Sequence, residues 1–270
     1  MIGDRPVSMI EAPELLNALR QIEKRGAFEI ARKTRQWAGM VFRYAIVTGR
    51  ASHNPAPDLR GALETTVTEH HAAFDRPGLA EFLRRLDQYD GAEQTRIALL
   101  LLASTFVRTG ELRFATKAEF DLPGRTWWIP AERTKTRAPH VVPLSEQAVA
   151  LLQPLFQLSE DSDLLLPGAN IKSKPISENT LLYALYRMGY HGRATGHGFR
   201  ATASTLLNEM GWKPDVIERQ LAHQERNKVR AAYHRSEYLP DRRLMMQAWS
   251  DFLDALKAGT DVIPLHGQAA

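Results

Sequence analysis

The chain has 270 residues, 44% of them hydrophobic, enough to fill one large or two moderate cores. Having no cysteine, it excludes disulfides, thiolate metal sites and a cysteine nucleophile, which leaves oxygen, nitrogen and histidine chemistry. The net charge of +4 is uneven: residues 1–60 hold ten Lys/Arg against six Asp/Glu, and residues 186–243 hold eleven against six with four histidines, as suits a protein that grips DNA from two sides.

In chain order, the first predicted helices run from Ala12 to Lys24, ended by Gly26, and from Phe28 to Val47, ended by Gly49. On the second, Ile30, Trp37, Val41 and Tyr44 share one face and read as a core stripe, with Arg32, Arg35 and Arg43 on the opposite face as candidate phosphate contacts. Residues 51–57 close this unit, and residues 63–76 read as a linker.

The second unit opens with Pro77 in the first turn of a helix from Gly78 to Gln88. Residues 93–106 are apolar nearly all round, which predicts a buried central helix. Its apolar run, residues 97–103, is far short of the roughly 20 residues of a membrane span, and no signal sequence opens the chain. A soluble cytoplasmic protein is therefore expected. Trp127–Pro130 and His140–Pro143 are β-like runs around the polar stretch 131–139, which reads as a hairpin with a long mobile tip. Further helices are predicted over 145–156, 177–188 (capped by Ser177), 197–210, 214–222, 227–235 and 241–258. The expected fold is mainly α (α+β), with one small antiparallel sheet.

Phosphodiester transfer without a metal needs a nucleophile, cations for the phosphorane and a proton donor for the leaving oxygen. Arg108 lies just past the buried helix, three residues before Glu111, which can pair with it. His197 and Arg200 open a helix at a spacing that puts both on one face. His223 ends a helix, where capping the last carbonyls is the default role. Lys135 sits at the hairpin tip, and Tyr233 lies on a basic helix, where an aromatic anchor is the bland reading. Taken singly, each has such an ordinary structural explanation.

Together and in this order, the six elements resemble the tyrosine recombinase (phage integrase) signature. The similarity is carried by Val107-Arg108-Thr109-Gly110-Glu111-Leu112, Pro130-Ala131-Glu132-Arg133, His140-Val141-Val142-Pro143-Leu144, Thr195-Gly196-His197-Gly198-Phe199-Arg200-Ala201-Thr202 and Asn227-Lys228-Val229-Arg230-Ala231-Ala232-Tyr233. It is greatest to integrases of prophages, satellite phages and genomic islands, and covers residues 77–250 strongly.

The resemblance implies Tyr233 as nucleophile, Arg108, Arg200 and His223 on the non-bridging phosphate oxygens, Lys135 as acid for the 5′ oxygen, and His197 assisting proton transfer. It implies no cofactor, metal or ATP. The partners implied are double-stranded attachment-site DNA and further copies of the chain, as a tetramer on DNA and a monomer or weak oligomer when free, with DNA-bending accessory proteins besides.

There are two departures from the pattern. The glycine that often precedes the first arginine follows it here, and Tyr233 lies ten residues after His223, one more than in some relatives. The expected organisation is a partial core-binding domain over 1–62, the linker 63–76, a catalytic domain over 77–258 and a tail over 259–270. The resemblance also implies that earlier helices and an arm-binding domain would precede this point, so the chain reads as N-terminally truncated. Rival readings are an idle DNA-binding remnant of an integrase, a type IB topoisomerase, and a metal-dependent hydrolase built on the nine histidines. The last lacks a His-Glu-x-x-His motif, and Tyr238 ranks below Tyr233 as nucleophile because it sits past the basic helix near Pro240.

Overall fold

A computed structural model of the chain describes residues 2–64, 73–223 and 238–260. The chain divides into two compact units, residues 1–70 and 71–270. In the first unit, α1 (Ala12–Glu23) and α2 (Phe28–Val47) pack as a pair. Glu14 closes the start of α1, its Oε2 accepting from Glu11 N at 3.4 Å. Gly26 and Gly49, with φ of 74° and 71°, end the two helices in the left-handed region that favours glycine.

The core stripe expected on α2 is not its packed face. Ile30, Trp37, Val41 and Tyr44 are 55–64% exposed, and the buried residues are Ala31, Gly39, Phe42 and Ala45. The reason is steric: the small side chains let the neighbouring chain come close, with Ala56 Cβ only 3.3 Å from where a Cβ on Gly39 would stand. Phe42 then fills the remaining space with Leu15, Leu19 and Leu59. Arg35, expected on the solvated back, is half-buried instead and donates to Ala56 O at 3.1 Å.

The second unit begins with α3 (Arg76–Asp87), capped by Asp75, whose side chain accepts from Gly78 N at 2.8 Å. Next, α4 (Glu93–Thr105) is the expected central helix, buried at nine of its 13 positions. It ends on Phe106, which holds a left-handed φ of 40° although it is not glycine. That strain, of order 1–3 kcal/mol, persists because the ring is fully buried against Trp249. Then come α5 (Thr109–Arg113) and a three-stranded antiparallel sheet of β1 (Phe120–Asp121), β2 (Thr126–Ile129) and β3 (His140–Pro143). The β2–β3 hairpin is the expected one, with Trp127 opposite Val142 and Ile129 opposite His140. The two-residue β1 is too short to show alternation in sequence.

The remaining helices are α6 (Glu146–Leu158), α7 (Thr180–Arg187), α8 (Gly198–Glu209), α9 (Pro214–Gln220) and α10 (Leu239–Ala258). Ser145, expected as the first residue of its helix, is instead the cap of α6, accepting from Ala148 N at 3.1 Å. By contrast, Ser177 does not cap α7: its hydroxyl accepts from Asn179 N at 3.4 Å in a local turn, and the helix starts three residues later. Packing of α10 on α3 and α4 completes the core, where Trp249 donates to Ala103 O at 2.9 Å.

The fold is thus mainly helical with one small antiparallel sheet. Among the described residues, no helix is long and apolar enough to cross a membrane. The helix expected over 227–235, residues 65–72 of the expected linker and residues 261–270 of the expected tail lie outside the described residues.

Candidate active site

Arg108 occupies the position before α5, where the chain has just turned at Phe106. The Glu111 carboxylate, only 2% exposed, accepts from Arg108 N at 2.8 Å and from Arg108 Nη1 at 2.7 Å. A buried carboxylate is tolerated only with such partners, and here they fix the guanidinium in return. The ion pair anticipated as the ordinary explanation of this arginine therefore exists, and it aims Arg108 rather than hiding it. Its Nη2 reaches Ala222 O at 3.4 Å.

Arg200, in the first turn of α8, is 4% exposed. Nη1 donates to Phe106 O at 2.8 Å and Nη2 to Leu221 O, so the strained turn after α4 and the end of α9 are both tied to one planar fork. Burial first, then the charge of Arg108, lowers its pKa to about 10, with Glu111 and Glu218 opposing. It remains a cation at neutral pH. His197, at the helix start, is exposed, and the loop before it approaches α5 closely: a Cβ on Gly196 would lie 2.2 Å from Thr109 Cγ2.

The end of α9 is held by three cationic or imidazole side chains. His140 Nε2 lies 3.1 Å from Gln220 O, Arg200 takes Leu221 O, and Arg108 takes Ala222 O. Ala222 adopts a left-handed φ of 49° and turns the chain into His223. His223 does not cap the helix with its ring as its position suggests. Its Nδ1 pairs with Glu218 Oε2 at 2.7 Å, which orients the half-exposed ring.

Behind this turn lies Arg242, fully buried, with Nε and Nη2 donating to Gln220 Oε1 at 3.0 and 2.7 Å and Nη2 also to Val141 O. Burial, then Arg219, lowers its pKa to about 9. Neither His140 nor Arg242 is singled out as a site residue by the sequence, since their partners Gln220 and Val141 lie 22 to 101 positions away.

His140 carries a pH prediction. Burial first, then Arg242, pushes its pKa from 6.5 down to about 3. Between these values the unfolded chain binds a proton that the folded chain excludes. The stability this group protects is therefore whole above about pH 6.5 and is lost as pH falls towards 3. At pH 5 the loss from this one group should be about 2 kcal/mol. Urea midpoints at pH 7 and pH 5 should differ accordingly, and His140→Gln, whose amide donates without titrating, should remove that share. An unchanged difference in the variant would assign the acid sensitivity elsewhere.

Arg108, Lys135, His197 and Arg200 line one open cleft of about 700 Å³, with Glu111 and Arg133 beside them. Lys135 is exposed on the turn after β2. His223 adjoins the cleft through Ala222, and Tyr233 lies outside the described residues. In the first unit Arg32 is paired with Glu29 at 2.7 Å, while Arg35 and Arg43 line a separate shallow groove. Among the described residues no group of three His, Asp or Glu could hold a metal ion.

A helical domain that concentrates guanidinium, ammonium and imidazole groups around one cleft has the chemistry to hold an oxyanion. Residues 79–239 match the phage integrase family and residues 1–62 the phage integrase central domain. The chain belongs to the phage integrase family, that of the tyrosine recombinases.

It is 44% identical to the integrase of Enterobacteria phage P4 over 94% of this chain and 61% of that protein, and 42% identical to the prophage integrase IntS of Escherichia coli (strain K12) over 94% and 66%. Its fold is similar to that of lambda integrase, solved as a dimer bound to a COC′ core site, with a TM-score of 0.65 and 18% identity over 87% of this chain and 82% of that one. The chain thus spans less than two thirds of the length of these two curated relatives.

Proposed function

We propose that the chain acts as a site-specific DNA recombinase, cutting and rejoining double-stranded DNA through a 3′-phosphotyrosine when a mobile element integrates or excises. The observation that carries this reading is the convergence of Arg108, Lys135, His197 and Arg200 on one cleft from segments far apart in sequence. In this reading the Tyr233 phenol oxygen attacks phosphorus, a bond forms between them, and the bond to the 5′ oxygen breaks. Arg108, Arg200 and His223 hold the non-bridging oxygens and neutralise the phosphorane. Lys135 gives its proton to the departing 5′ oxygen, and His197 assists proton transfer at the phenol or the leaving group. The phosphotyrosine conserves the energy of the broken diester, so resealing runs the same steps backwards without ATP. With the cations supplied by side chains, no metal is required.

Residues 1–62 serve as the core-binding part and 77–258 as the catalytic domain, joined through 63–76. Arg32, Arg35 and Arg43 would meet the phosphate backbone. Arg43 has the better claim, because Arg32 is engaged by Glu29 and Arg35 by Ala56 O. Exchange between two duplexes cuts four strands with one tyrosine each, which calls for a tetramer on DNA and a monomer or weak oligomer off it. Such a substrate sets the work at the nucleoid.

The test is a nicked suicide duplex carrying the attachment core of the element. An SDS-resistant protein–DNA adduct should accumulate with EDTA present and no nucleotide added, and two intact sites should recombine once the N-terminal segment that the resemblance implies is supplied. Loss of the adduct in EDTA would overturn the reading in favour of a metal enzyme. Adduct formation and supercoil relaxation without exchange between sites would leave topoisomerase-like chemistry alone.

A further inference from the structure

We propose that Arg133 is a positioning residue that registers the Lys135 turn against Arg108, so that the leaving-group acid and the first phosphate-binding arginine move as one piece. The inference rests on the reading of Lys135 given above. Arg133 ends a short 3-10 turn, Ala131–Arg133, two residues before Lys135. Its guanidinium bridges two other elements: Nη1 donates to Glu111 O in α5 at 3.1 Å, and Nη2 pairs with the Glu119 carboxylate just before β1. Glu111 is also the residue whose carboxylate fixes Arg108. One peptide group thus links the holder of the arginine to the root of the lysine turn.

The far end of the bridge is anchored as well. Glu119 Oε2 accepts from Trp127 Nε1 at 2.9 Å, and Oε1 accepts from Thr116 N and Oγ1 at 3.2 and 3.1 Å. Both oxygens are used, so this carboxylate cannot follow a wandering arginine. Immediately after Arg133, Thr134 is buried and closes the turn through Oγ1 to Ala131 O and Ala138 O at 3.1 and 2.8 Å. The root of the expected mobile tip is therefore pinned, while Lys135 itself is exposed on the cleft wall. A lysine at position 133 would not reproduce this, because a point charge does not present two divergent donors in one plane. The β2–β3 ladder does not include the bridge, and without Arg133 the Glu119 carboxylate keeps its donors Trp127 Nε1, Thr116 N and Thr116 Oγ1, so the hairpin should stay folded.

Two substrates and a double-mutant cycle test this. The substrates are the suicide duplex with its natural 5′ oxygen and the same duplex with sulfur there, a leaving group that needs no proton. Lys135→Ala should slow cleavage of the oxygen substrate about 10²- to 10⁴-fold, the scale of a general acid, and sulfur should restore it. Arg133→Met, which keeps an apolar stem, should slow the oxygen substrate at least about 10-fold, be restored by sulfur, and add nothing in the Lys135→Ala background. Glu119→Gln, which keeps an acceptor for Trp127 and does not line the cleft, should show a smaller loss of the same sulfur-sensitive kind.

Equal slowing of both substrates by Arg133→Met, or losses that multiply with Lys135→Ala, would overturn the inference and make Arg133 a phosphate contact or a fold residue. Failure of sulfur to rescue Lys135→Ala would instead remove the acid role of Lys135. The cycle would still read the coupling of the two side chains. If Arg133→Met fails to fold, Glu119→Gln decides: a sulfur-insensitive loss or none counts against the proposal.

Discussion

On a nicked suicide substrate, Tyr233→Phe should form no SDS-resistant adduct while Tyr238→Phe forms it at the normal yield. The loss should be complete, because the ring alone offers no oxygen to attack phosphorus and no other group in the proposed reaction forms the bond. Tyr233 lies outside the described residues, but the structure narrows the choice from the other side. Tyr238 is built into the start of α10: its backbone holds a left-handed φ of 45°, its carbonyl accepts from Arg242 N at 2.8 Å, and its side chain packs against the core. A residue so fixed serves as a helix start, which supports Tyr233 over it in the proposed reaction. An adduct that survives Tyr233→Phe and is lost in Tyr238→Phe would reverse the assignment.

Arg200→Lys should cut the rate of adduct formation by about 10²- to 10³-fold, the usual cost of one preorganised donor at a developing charge, while DNA affinity changes little. The charge stays, but the fork that ties Phe106 O and Leu221 O does not. Arg200→Ala should lose more activity and also stability, because two buried carbonyls then lack their donor at about 1–3 kcal/mol each. A substrate with methyl in place of one non-bridging oxygen carries no charge at the scissile phosphate, so it should narrow the gap between wild type and Arg200→Ala. Equal defects on both substrates, matched by a fall in urea midpoint, would make Arg200 structural only.

Where an element is set by consecutive residues, it was legible. The start and end of α2, the burial of α4 and the bounds of β3 follow from apolar period, glycine stops and β-like runs. Periodicity could not say which side of α2 is covered. The stripe of Ile30, Trp37, Val41 and Tyr44 is as regular as a core stripe, yet the chain packs on the face of small residues because that face lets backbones approach. The start of α7 was misread because a serine can serve a turn as well as a helix.

The order of Arg108, Lys135, His197, Arg200 and His223 along the chain, and hence the family, was determined by the sequence alone. Only the tertiary structure decided what holds them. Arg133 meets Glu119 across 14 positions and Arg242 meets Val141 across 101, and neither spacing marks a contact in sequence. Helix and strand preferences belong to a few neighbouring residues and can be read from them. Whether a charge is buried, and which carbonyl or carboxylate compensates it, depends on what distant segments close over it.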